Sequence, residues 1–323
     1  MSQIRYMQAF TEALKEEMLN DPDIFVIGED VRESIRGMTK GLYKEFGPER
    51  VIDTPISEQG FTSMSIGAAI AGMRPVVKFM LSEFIFYAFD QLIDEAAKLR
   101  YMSGGKLKIP ITFVVVGSGA RGCMAGQHSD NPYPFLLHGG MKVVIPSSPH
   151  DAKGLLKASI RDDDPVAIFL PIALAALKGE VPDKEYIIPL GVGEIKREGT
   201  DITIIATGHL VNDALKLADE CEKEGISVEV FDPRTLLPLD REMMIKSVSK
   251  TKGAVIFDDS NRTCGFASEV SAILMEECFS LLKAPVRRVT RCDVPVPFSY
   301  PLEQYVLPNS TKVKDVIDQL LNN

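Results

Sequence analysis

A chain of 323 residues is longer than most single domains, so we expect two domains, each large enough to bury its own core. The 45 acidic and 36 basic residues give a formal net charge of -9, which argues against a nucleic-acid partner. The five cysteines form no CxxC pair, and neither a secretory leader nor an apolar run of bilayer length is present, so no membrane partner is expected. The expected setting is a reducing one, the cytoplasm or a mature mitochondrial matrix, with free and buried thiols.

The first half of the chain alternates short apolar runs with helical patterns. The runs are DIFVIGED, RPVVKFM, PITFVVVG, MKVVIPSS and PVAIFLP, and a helical pattern between them is AFDQLIDEAAKLRYM. Alternation of this kind predicts a mostly parallel sheet covered by helices.

One carboxylate stands at the start of a helical pattern in this half. The stretch DTPISEQG places Glu58 just before FTSMSIGAAIAGM, whose small residues predict a buried helix with a close packing partner. An acid in the first turn of a helix commonly pairs with free N–H groups and with the positive end of the dipole. The residues alone favour that structural role for Glu58.

The motif GSGARG, Gly117 to Gly122, satisfies the pattern G-x-G-x-x-G after an apolar run. A dinucleotide site also needs a helix directly after the glycines and an acid after a strand about twenty residues further on. The next stretch, CMAGQHSDNPYPF, contains polar breakers and two prolines instead. We therefore interpret the motif as a glycine-rich active-site loop and not as a nicotinamide site.

His128 follows that loop. A loop histidine is more often a surface residue than a catalyst, but this one lies beyond the carboxyl end of a predicted strand, where open α/β sheets bind ligands. Its pKa range suits a proton donor or acceptor. Zinc is not indicated, because His128, His138 and Cys123 lack a recognised ligand spacing.

A group of aromatic residues precedes the helical pattern, in SEFIFYAFDQ. Aromatic stripes usually belong to a core, and Phe86, Phe89 and Ile93 fit that interpretation. Phe84 and Tyr87 are left as candidates to stack on a flat, partly polar ligand.

The second half repeats the alternation, with the runs DITIIATG, SVEVFDPR, GAVIFDDS and APVRRVTRCD. Its first helical pattern places apolar residues at Leu210, Ala214, Leu217, Ala218 and Cys221. The join lies in residues 177 to 201, where prolines and glycines interrupt regular structure. The sequence thus predicts an α/β protein with two domains, 1–188 and 189–323, each a mostly parallel sheet flanked by helices.

The order of several motifs along the chain resembles a known family. The first half contains IGEDV, FGPERVIDTPISEQG, IGAAIAGMRPVV, FDQLIDEAAKLRYMSGG, QHS, DAKGLL and IRDDDPV. The second contains ATGHLVNDALKLADE, VFDPRTLLPLD, NRTCGFASEV and RCDVPVPFSYPLEQYVLPNSTKV. In this order they resemble the beta subunits of the thiamine diphosphate-dependent 2-oxo acid dehydrogenases of the pyruvate, branched-chain and acetoin type. The resemblance implies a transketolase-like pyrimidine-binding domain followed by a transketolase-type C-terminal domain.

The resemblance also implies roles for single residues. Glu58 matches the family glutamate that hydrogen-bonds the aminopyrimidine ring of thiamine diphosphate, a charge-assisted bond of about twice the neutral strength. Glu29 and Ile56 would line the cofactor pocket, Met80 would lie beside it, and Phe84 would stack on the pyrimidine. His128 matches the histidine that assists proton transfer and acyl transfer to the lipoyl group.

Metals and partners are implied as well. No Gly-Asp-Gly motif for the diphosphate-bound magnesium occurs in the sequence, so magnesium and the diphosphate would be held mainly by an alpha subunit, in a heterotetramer of two alpha and two beta subunits. A lipoyl-bearing acyltransferase would accept the acyl group derived from a small 2-oxo acid. A potassium site, formed largely by main-chain oxygens, would carry over onto Ile111, Ser159, Ile160, Asp162 and Asp164.

Departures from the family pattern leave the substrate open. The loop RESIRGMTKGL is shorter than usual, the arginine expected at the strand end is replaced in FVVVG, and Pro-Gly-Leu is replaced by Gly139, Gly140 and Met141. Two alternative enzyme functions are an acetoin dehydrogenase beta subunit and the pyrimidine-binding half of a split transketolase-like enzyme. A non-catalytic assembly subunit is a further alternative, against which the retention of Glu58 and His128 counts.

Overall fold

A computed structural model of the chain describes residues 1–35, 37–119 and 121–321. Its strands are β1 (Ser2–Arg5), β2 (Ile24–Gly28), β3 (Val51–Asp53), β4 (Arg74–Phe79), β5 (Thr112–Ser118), β6 (Lys142–Val144), β7 (Val166–Pro171), β8 (Lys178–Val181), β9 (Glu194–Arg197), β10 (Ile202–Ala206), β11 (Val228–Asp232), β12 (Thr235–Leu237), β13 (Ala254–Asn261) and β14 (Arg287–Arg291). Its α-helices are α1 (Tyr6–Asn20), α2 (Leu42–Phe46), α3 (Glu58–Ile70), α4 (Ala97–Met102), α5 (Tyr133–His138), α6 (Pro149–Arg161), α7 (Leu210–Lys223), α8 (Arg241–Thr251), α9 (Phe266–Cys278), α10 (Tyr300–Val306) and α11 (Ser310–Leu321). Short 3₁₀ or π-helical segments cover Ser82–Ala88, Gln91–Ala96 and Ile172–Leu174. None of the described helices combines the length and the apolar character that crossing a bilayer requires.

The described strands form two large, mostly parallel sheets. The first has the order β12-β6-β7-β5-β4-β2-β3, in which β12 alone runs antiparallel to its neighbour. The second has the order β14-β13-β10-β11-β9, with β9 antiparallel. A separate antiparallel pair joins β1 to β8. The two sheets with their flanking helices confirm the predicted fold class.

Both faces of the first sheet are buried. Val26 and Val76, on β2 and β4, pack into a cluster that includes apolar residues of α1 and α6. Their neighbours Ile27 and Val77 face the opposite way, into a cluster that includes α3. This two-sided burial explains why the parallel strands read as continuous apolar runs in the sequence.

All the quoted apolar runs contain a strand, but five short strands were not predicted: β1, β3, β8, β9 and β12. β3 and β12 have three residues each, too few for an alternating or apolar pattern to stand out. β12 follows β11 of the second sheet and pairs with β6 of the first, so the second half contributes a strand to the first sheet. The domain boundary after residue 188 stays a prediction.

Two expectations about burial were wrong in part. Cys221 and Cys278 are buried, but Cys264 and Cys292 are exposed, because they lie in loops that follow β13 and β14. The helix α3 is present as predicted, but one face of it is open: Met64 is 52% and Ile70 42% exposed. Nothing in the described part of this chain covers that face.

Candidate active site

Two acidic residues meet at the carboxyl edge of the first sheet. β2 and β3 are parallel neighbours paired as far as Gly28 and Asp53, so the segments that follow them begin side by side. Glu29 follows β2 directly. After β3 the chain turns through Thr54, whose N–H donates to the Gly28 carbonyl at 3.2 Å, and α3 then begins at Glu58. Both acidic side chains are buried, at 9% and 6% exposure.

The two carboxyl groups influence each other. Burial is the main cause that raises the pKa of Glu29 to about 7, and the charge of Glu58 and a hydrogen bond between the two groups raise it further. Lys78 acts in the opposite direction. Glu29 therefore gains or loses a proton near neutral pH, directly beside Glu58. A carboxylate that only complemented a helix dipole would have no reason to contact a second buried acid, so the pair favours a functional role for Glu58.

Lys78 is a buried cation that sequence reasoning missed. It lies on β4, is 1% exposed, and its Nζ donates to the main-chain oxygen of Glu29 at 2.9 Å. The backbone is tightly packed here, since a Cβ on Gly28 would lie 2.4 Å from the Lys78 carbonyl oxygen and Gly28 has a φ of +145°. The available signal was a lysine inside the apolar run RPVVKFM, because a charge in a doubly buried strand needs polar partners.

We expect Glu29 to make the stability of the cofactor-free chain depend on pH. Its folded pKa of about 7 lies above the ordinary 4.5, so its stabilising contribution is complete below pH 4.5 and is lost as the pH rises through 7. Against Glu29→Gln, the wild-type free energy of unfolding should fall by up to about 3 kcal/mol between about pH 4.5 and pH 8. Urea unfolding of both proteins at both pH values measures this.

The exposed neighbour Asp30 provides the matched control for that measurement. Asp30→Asn removes the same charge one residue away and keeps a residue type that tolerates its positive φ of 52°. It should leave most of the wild-type pH dependence in place. If Glu29→Gln and wild type respond equally to pH, the proton near neutral pH does not belong to this pair.

The aromatic candidates lie next to His128. The ring of Phe84 is half-buried and forms an edge contact with the His128 imidazole, with ring centroids 5.9 Å apart. The centroid of the Tyr87 ring lies 6.2 Å from that of Phe84. Phe86 was predicted to belong to the core, and that prediction was wrong. It is 42% exposed and packs against Phe135 at the surface, because the short 3₁₀ turn rotates it outward.

The remaining members of the expected pocket divide into two groups. Met80 is half-buried and its Sδ lies 3.9 Å from Lys78 Nζ, which places it beside Glu29. Ile56 is 85% exposed, at the open edge before α3. The structure thus brings Glu29, Glu58 and Met80 together and pairs Phe84 with His128. The cofactor-binding roles of Glu29, Ile56, Glu58, Met80 and Phe84 and the catalytic roles of Glu58 and His128 stay predictions.

The loop that carries His128 is fixed at its end by the first domain. Ser82 Oγ donates to the Asp130 carbonyl at 2.6 Å, and Asp130 N–H donates to the Glu83 carboxylate. As expected for a loop and not a dinucleotide site, the described residues 121–132 contain no helix, and α5 begins only at Tyr133. Ala120 of the GSGARG motif lies outside the described residues.

A buried ion pair of the second domain meets the same loop. Arg291 is 2% exposed and donates to Asp259 at 2.9 Å and to the Ser129 carbonyl. Asn131 Nδ2 donates to the Asp259 carbonyl at 2.8 Å. Burial alone would raise the pKa of Asp259, but the nearby charges, Arg291 foremost, lower it to about 2. Asp259 is therefore ionised at neutral pH and links the loop to the second domain.

His209, at the start of α7, contacts this cluster. Its Nε2 lies 2.7 Å from Nη2 of Arg121, a loop residue, and burial is the main cause that lowers the pKa of His209 to about 4. A neutral imidazole accepts a hydrogen bond from a guanidinium, so His209 holds Arg121 without a second positive charge. Sequence reasoning assigned His209 no role, because its partner lies 88 residues away.

The residues expected to form a potassium site lie together around one turn. Arg74 donates to the main-chain oxygens of Ile160 and Asp162 at 3.1 and 3.0 Å. The Ile111 oxygen accepts from Val166 N–H, and the Ser159 oxygen from Asp162 N–H. The Asp164 carboxylate pairs with Lys142 and Arg100. Among the described residues no cluster of three or more His, Cys, Asp or Glu side chains is arranged to hold a metal.

Comparison with known families matches both halves of the chain. Residues 2–176 match the transketolase pyrimidine-binding domain, and residues 191–313 match the transketolase C-terminal domain. Among solved structures, a split-gene transketolase described as an inactive beta4 tetramer superimposes with a TM-score of 0.79 at 25% identity, over 99% of this chain and 98% of that one.

Characterised relatives are similar over nearly their full lengths. The acetoin:2,6-dichlorophenolindophenol oxidoreductase subunit beta of Bacillus subtilis (strain 168) is 43% identical over 98% of this chain and 97% of its own. The 2-oxoisovalerate dehydrogenase subunit beta of the same organism is 42% identical over 99% of both chains. The pyruvate dehydrogenase E1 component subunit beta of Rickettsia felis is 41% identical over 98% of both.

Proposed function

Because this chain belongs to the transketolase-like family of 2-oxo acid dehydrogenase beta subunits, we propose that it supplies half of a thiamine diphosphate site in the oxidative decarboxylation of a small 2-oxo acid. The observation that carries the proposal is the buried Glu29–Glu58 pair at the carboxyl edge of the first sheet, where open α/β sheets bind ligands. A cytoplasmic location is part of the proposal.

The residues present fit a nitrogen-rich ring. Among the described residues no group donates to Glu29 Oε1, although this atom is buried, and the Thr54 hydroxyl is likewise buried without a partner. Both are polar atoms that a bound aminopyrimidine would satisfy. Thiamine diphosphate, when bound, would supply a nucleophilic carbon and an electron sink for the decarboxylation.

The chain's own residues have separable tasks. Glu58 accepts a hydrogen bond from a protonated ring nitrogen, and its charge strengthens that bond in a dry site. Glu29 gains or releases a proton near neutral pH beside it. Phe84 would offer a ring face to the pyrimidine. His128, whose ring lies next to Phe84, would give a proton to a leaving group on the substrate side.

The open face of α3 supports an alpha-subunit partner. Gly67 lies in the middle of this helix, is exposed, and a Cβ added there would meet nothing within 4 Å in the described chain. Glycine in a helix costs about 1 kcal/mol relative to alanine, so the chain alone gives no reason for it. A partner that packs closely on Gly67, beside the exposed Met64 and Ile70, gives such a reason.

We expect Gly67→Leu to block assembly and not folding. The lone variant should unfold at a temperature at least as high as wild type, because a Cβ at this exposed position meets nothing within 4 Å and leucine favours the helix. Co-expressed with the alpha subunit, it should elute as free beta chain. Size-exclusion chromatography with light scattering measures the mass, and Lys216→Leu, on an exposed position of α7, is the matched control. If Gly67→Leu forms a heterotetramer of the same mass as the wild-type chain does, the open face of α3 is not the surface that binds the alpha subunit.

Metals and the acyl acceptor complete the proposal. Magnesium would be held mainly by the alpha subunit, together with the diphosphate, and a lipoyl-bearing acyltransferase would receive the acyl group. A potassium site on Ile111, Ser159, Ile160, Asp162 and Asp164 is also part of the proposal. The Ile160 and Asp162 oxygens already accept hydrogen bonds from Arg74, so a bound ion would use their second lone pairs.

The substrate class is decided by experiment, because acetoin, 2-oxoisovalerate and pyruvate relatives are 41 to 43% identical to this chain. The chain should be co-expressed with the alpha subunit from its gene neighbourhood and assayed with a panel of 2-oxo acids and acetoin. Both a lipoyl domain and a dye should serve as acceptors. Acylation of the lipoyl domain from one 2-oxo acid supports the proposal. Dye reduction with acetoin alone supports the acetoin alternative, and ketol transfer without lipoyl acylation the split-transketolase alternative.

A further inference from the structure

The loop that carries His128 contacts a buried carboxylate of the second domain. Glu303, in α10, is 0% exposed. Its Oε1 accepts hydrogen bonds from the N–H groups of Gly122 at 3.0 Å and Cys123 at 3.1 Å, and its Oε2 lies 3.3 Å from the Gly122 nitrogen. Its partners in the described structure are these main-chain groups and not a cation. The buried carboxylate depends on these two N–H groups for its hydrogen bonds, so its position and the conformation of the loop are linked.

The loop has a conformation that needs such support. Cys123 and Ala125 have positive φ angles of 64° and 66°, which cost non-glycine residues on the order of 1 kcal/mol each. The N–H of His128 in turn donates to the Ala125 carbonyl at 3.1 Å. Main-chain geometry therefore connects the two N–H groups on Glu303 to the backbone of His128.

A second contact from the same part of the second domain reaches the loop. A Cβ built on Gly126 would lie 3.2 Å from Cβ of Pro295, so only a small residue fits between the loop and this segment. Pro295 lies between β14 and α10, and the neighbouring Val296 packs with Val306 and Leu307 in a small apolar cluster. The segment that contains Glu303 thus contacts the loop at two points.

We propose that Glu303 is a positioning residue that holds the 122–128 loop in the conformation that aims the His128 imidazole at the site. The catalytic part of this inference rests on the proposed function, whereas the loop part does not. Glu303 touches neither substrate nor cofactor in this proposal and acts only through the loop.

Hydrogen exchange tests the loop directly in the alpha–beta complex without substrate. In Glu303→Ala, the amides of residues 122–128 should exchange about tenfold faster or more, because two bonds to a charged acceptor are lost. Glu303→Gln keeps an acceptor oxygen and should restore most of the protection. Gly126→Ala crowds the loop against Pro295 and leaves Glu303 unchanged, so it should also raise the amide exchange rate of residues 122–128. This variant replaces Glu303→Ala in the test if Glu303→Ala does not fold.

The chain offers a matched control in Glu229. It is also 0% exposed, lies in the second sheet, and accepts a main-chain hydrogen bond from Gly199 at 3.2 Å, far along the chain from the loop. Unlike Glu303, it also pairs with a cation, Lys250. Glu229→Ala should affect stability without changing exchange in residues 122–128. Unchanged loop exchange in both Glu303→Ala and Gly126→Ala would overturn the proposal.

A double-mutant comparison tests the link to His128. Glu303→Ala should lower the rate of lipoyl acylation in the wild-type background and should cause no further loss in His128→Asn. Additive losses in the double variant would show that Glu303 acts elsewhere and would overturn its role through His128. If wild type acylates no lipoyl domain, the proposed function fails, and the exchange experiment alone decides whether Glu303 holds the loop.

Discussion

Glu58→Gln in the reconstituted alpha–beta complex should retain thiamine diphosphate but lose at least about 10²-fold in the exchange rate of the thiazolium C2 proton. Glutamine keeps the shape of the side chain and an acceptor oxygen, so binding survives. It lacks the charge that favours a protonated ring nitrogen, so the ring loses the form that takes up the C2 proton. Acid-quench exchange followed by NMR measures the rate, and calorimetric titration measures the binding.

Glu29→Gln is the matched control, since it neutralises the other acid of the same buried pair. It should lower the exchange rate less than Glu58→Gln, because Glu29 is not the residue expected to bond the ring nitrogen. A C2 exchange rate in Glu58→Gln equal to that of wild type would remove the proposed role of Glu58. Equal losses in the two variants would show that the charge of the pair matters and not the position of Glu58.

Sequence reasoning located candidate residues where a local pattern marks them. A proline-restrained turn and a small-residue helix marked Glu58, although its cofactor role came only from the family resemblance, and His128 was noted because it follows a predicted strand and a glycine-rich loop. The roles of both residues stay predictions. Local patterns also marked the sheets, because strands buried on both faces leave continuous apolar runs.

The parts that escaped prediction depend on contacts between distant residues. Lys78 meets the Glu29 carbonyl across 49 residues, and Glu303 meets the loop across 180. No local spacing encodes either contact, since each arises only once the sheet order and the docking of the second domain are known. The pairing of β12 with β6 was not predicted for the same reason, because β6 belongs to the other half of the chain.

Burial was also misjudged where it depends on a partner. The apolar face of α3 suggested a buried helix, yet Met64 and Ile70 are exposed in the single chain. Apolar residues in a sequence can be buried against a partner subunit as well as within their own chain, so the sequence pattern does not distinguish the two. The exposure of Gly67 without a neighbour near its Cα therefore points outward, to a partner, and supports the reading of this chain as one half of a site.

His128→Asn should reduce acylation of a lipoyl domain by about 10² to 10⁴, the usual range for loss of general acid catalysis, and should reduce ferricyanide turnover far less. Opening the lipoyl disulfide puts charge on a leaving sulfur, which needs a proton, and in the proposed function the His128 imidazole beside Phe84 would supply it. An outer-sphere oxidant takes electrons without any proton from the protein. Asparagine can hydrogen-bond but cannot donate a proton near neutral pH.

The contrast between the two acceptors makes this prediction specific to proton transfer. A variant that only misplaced the cofactor or the substrate would slow both reactions equally, because both follow the same decarboxylation. His138→Asn is the matched control, since His138 is the exposed histidine at the end of α5 and should leave both rates unchanged. Side-by-side assays of the complex with lipoyl domain and with ferricyanide, on the preferred 2-oxo acid, give the two ratios. Equal losses in both assays would place the action of His128 before acyl transfer, at the decarboxylation that the two reactions share.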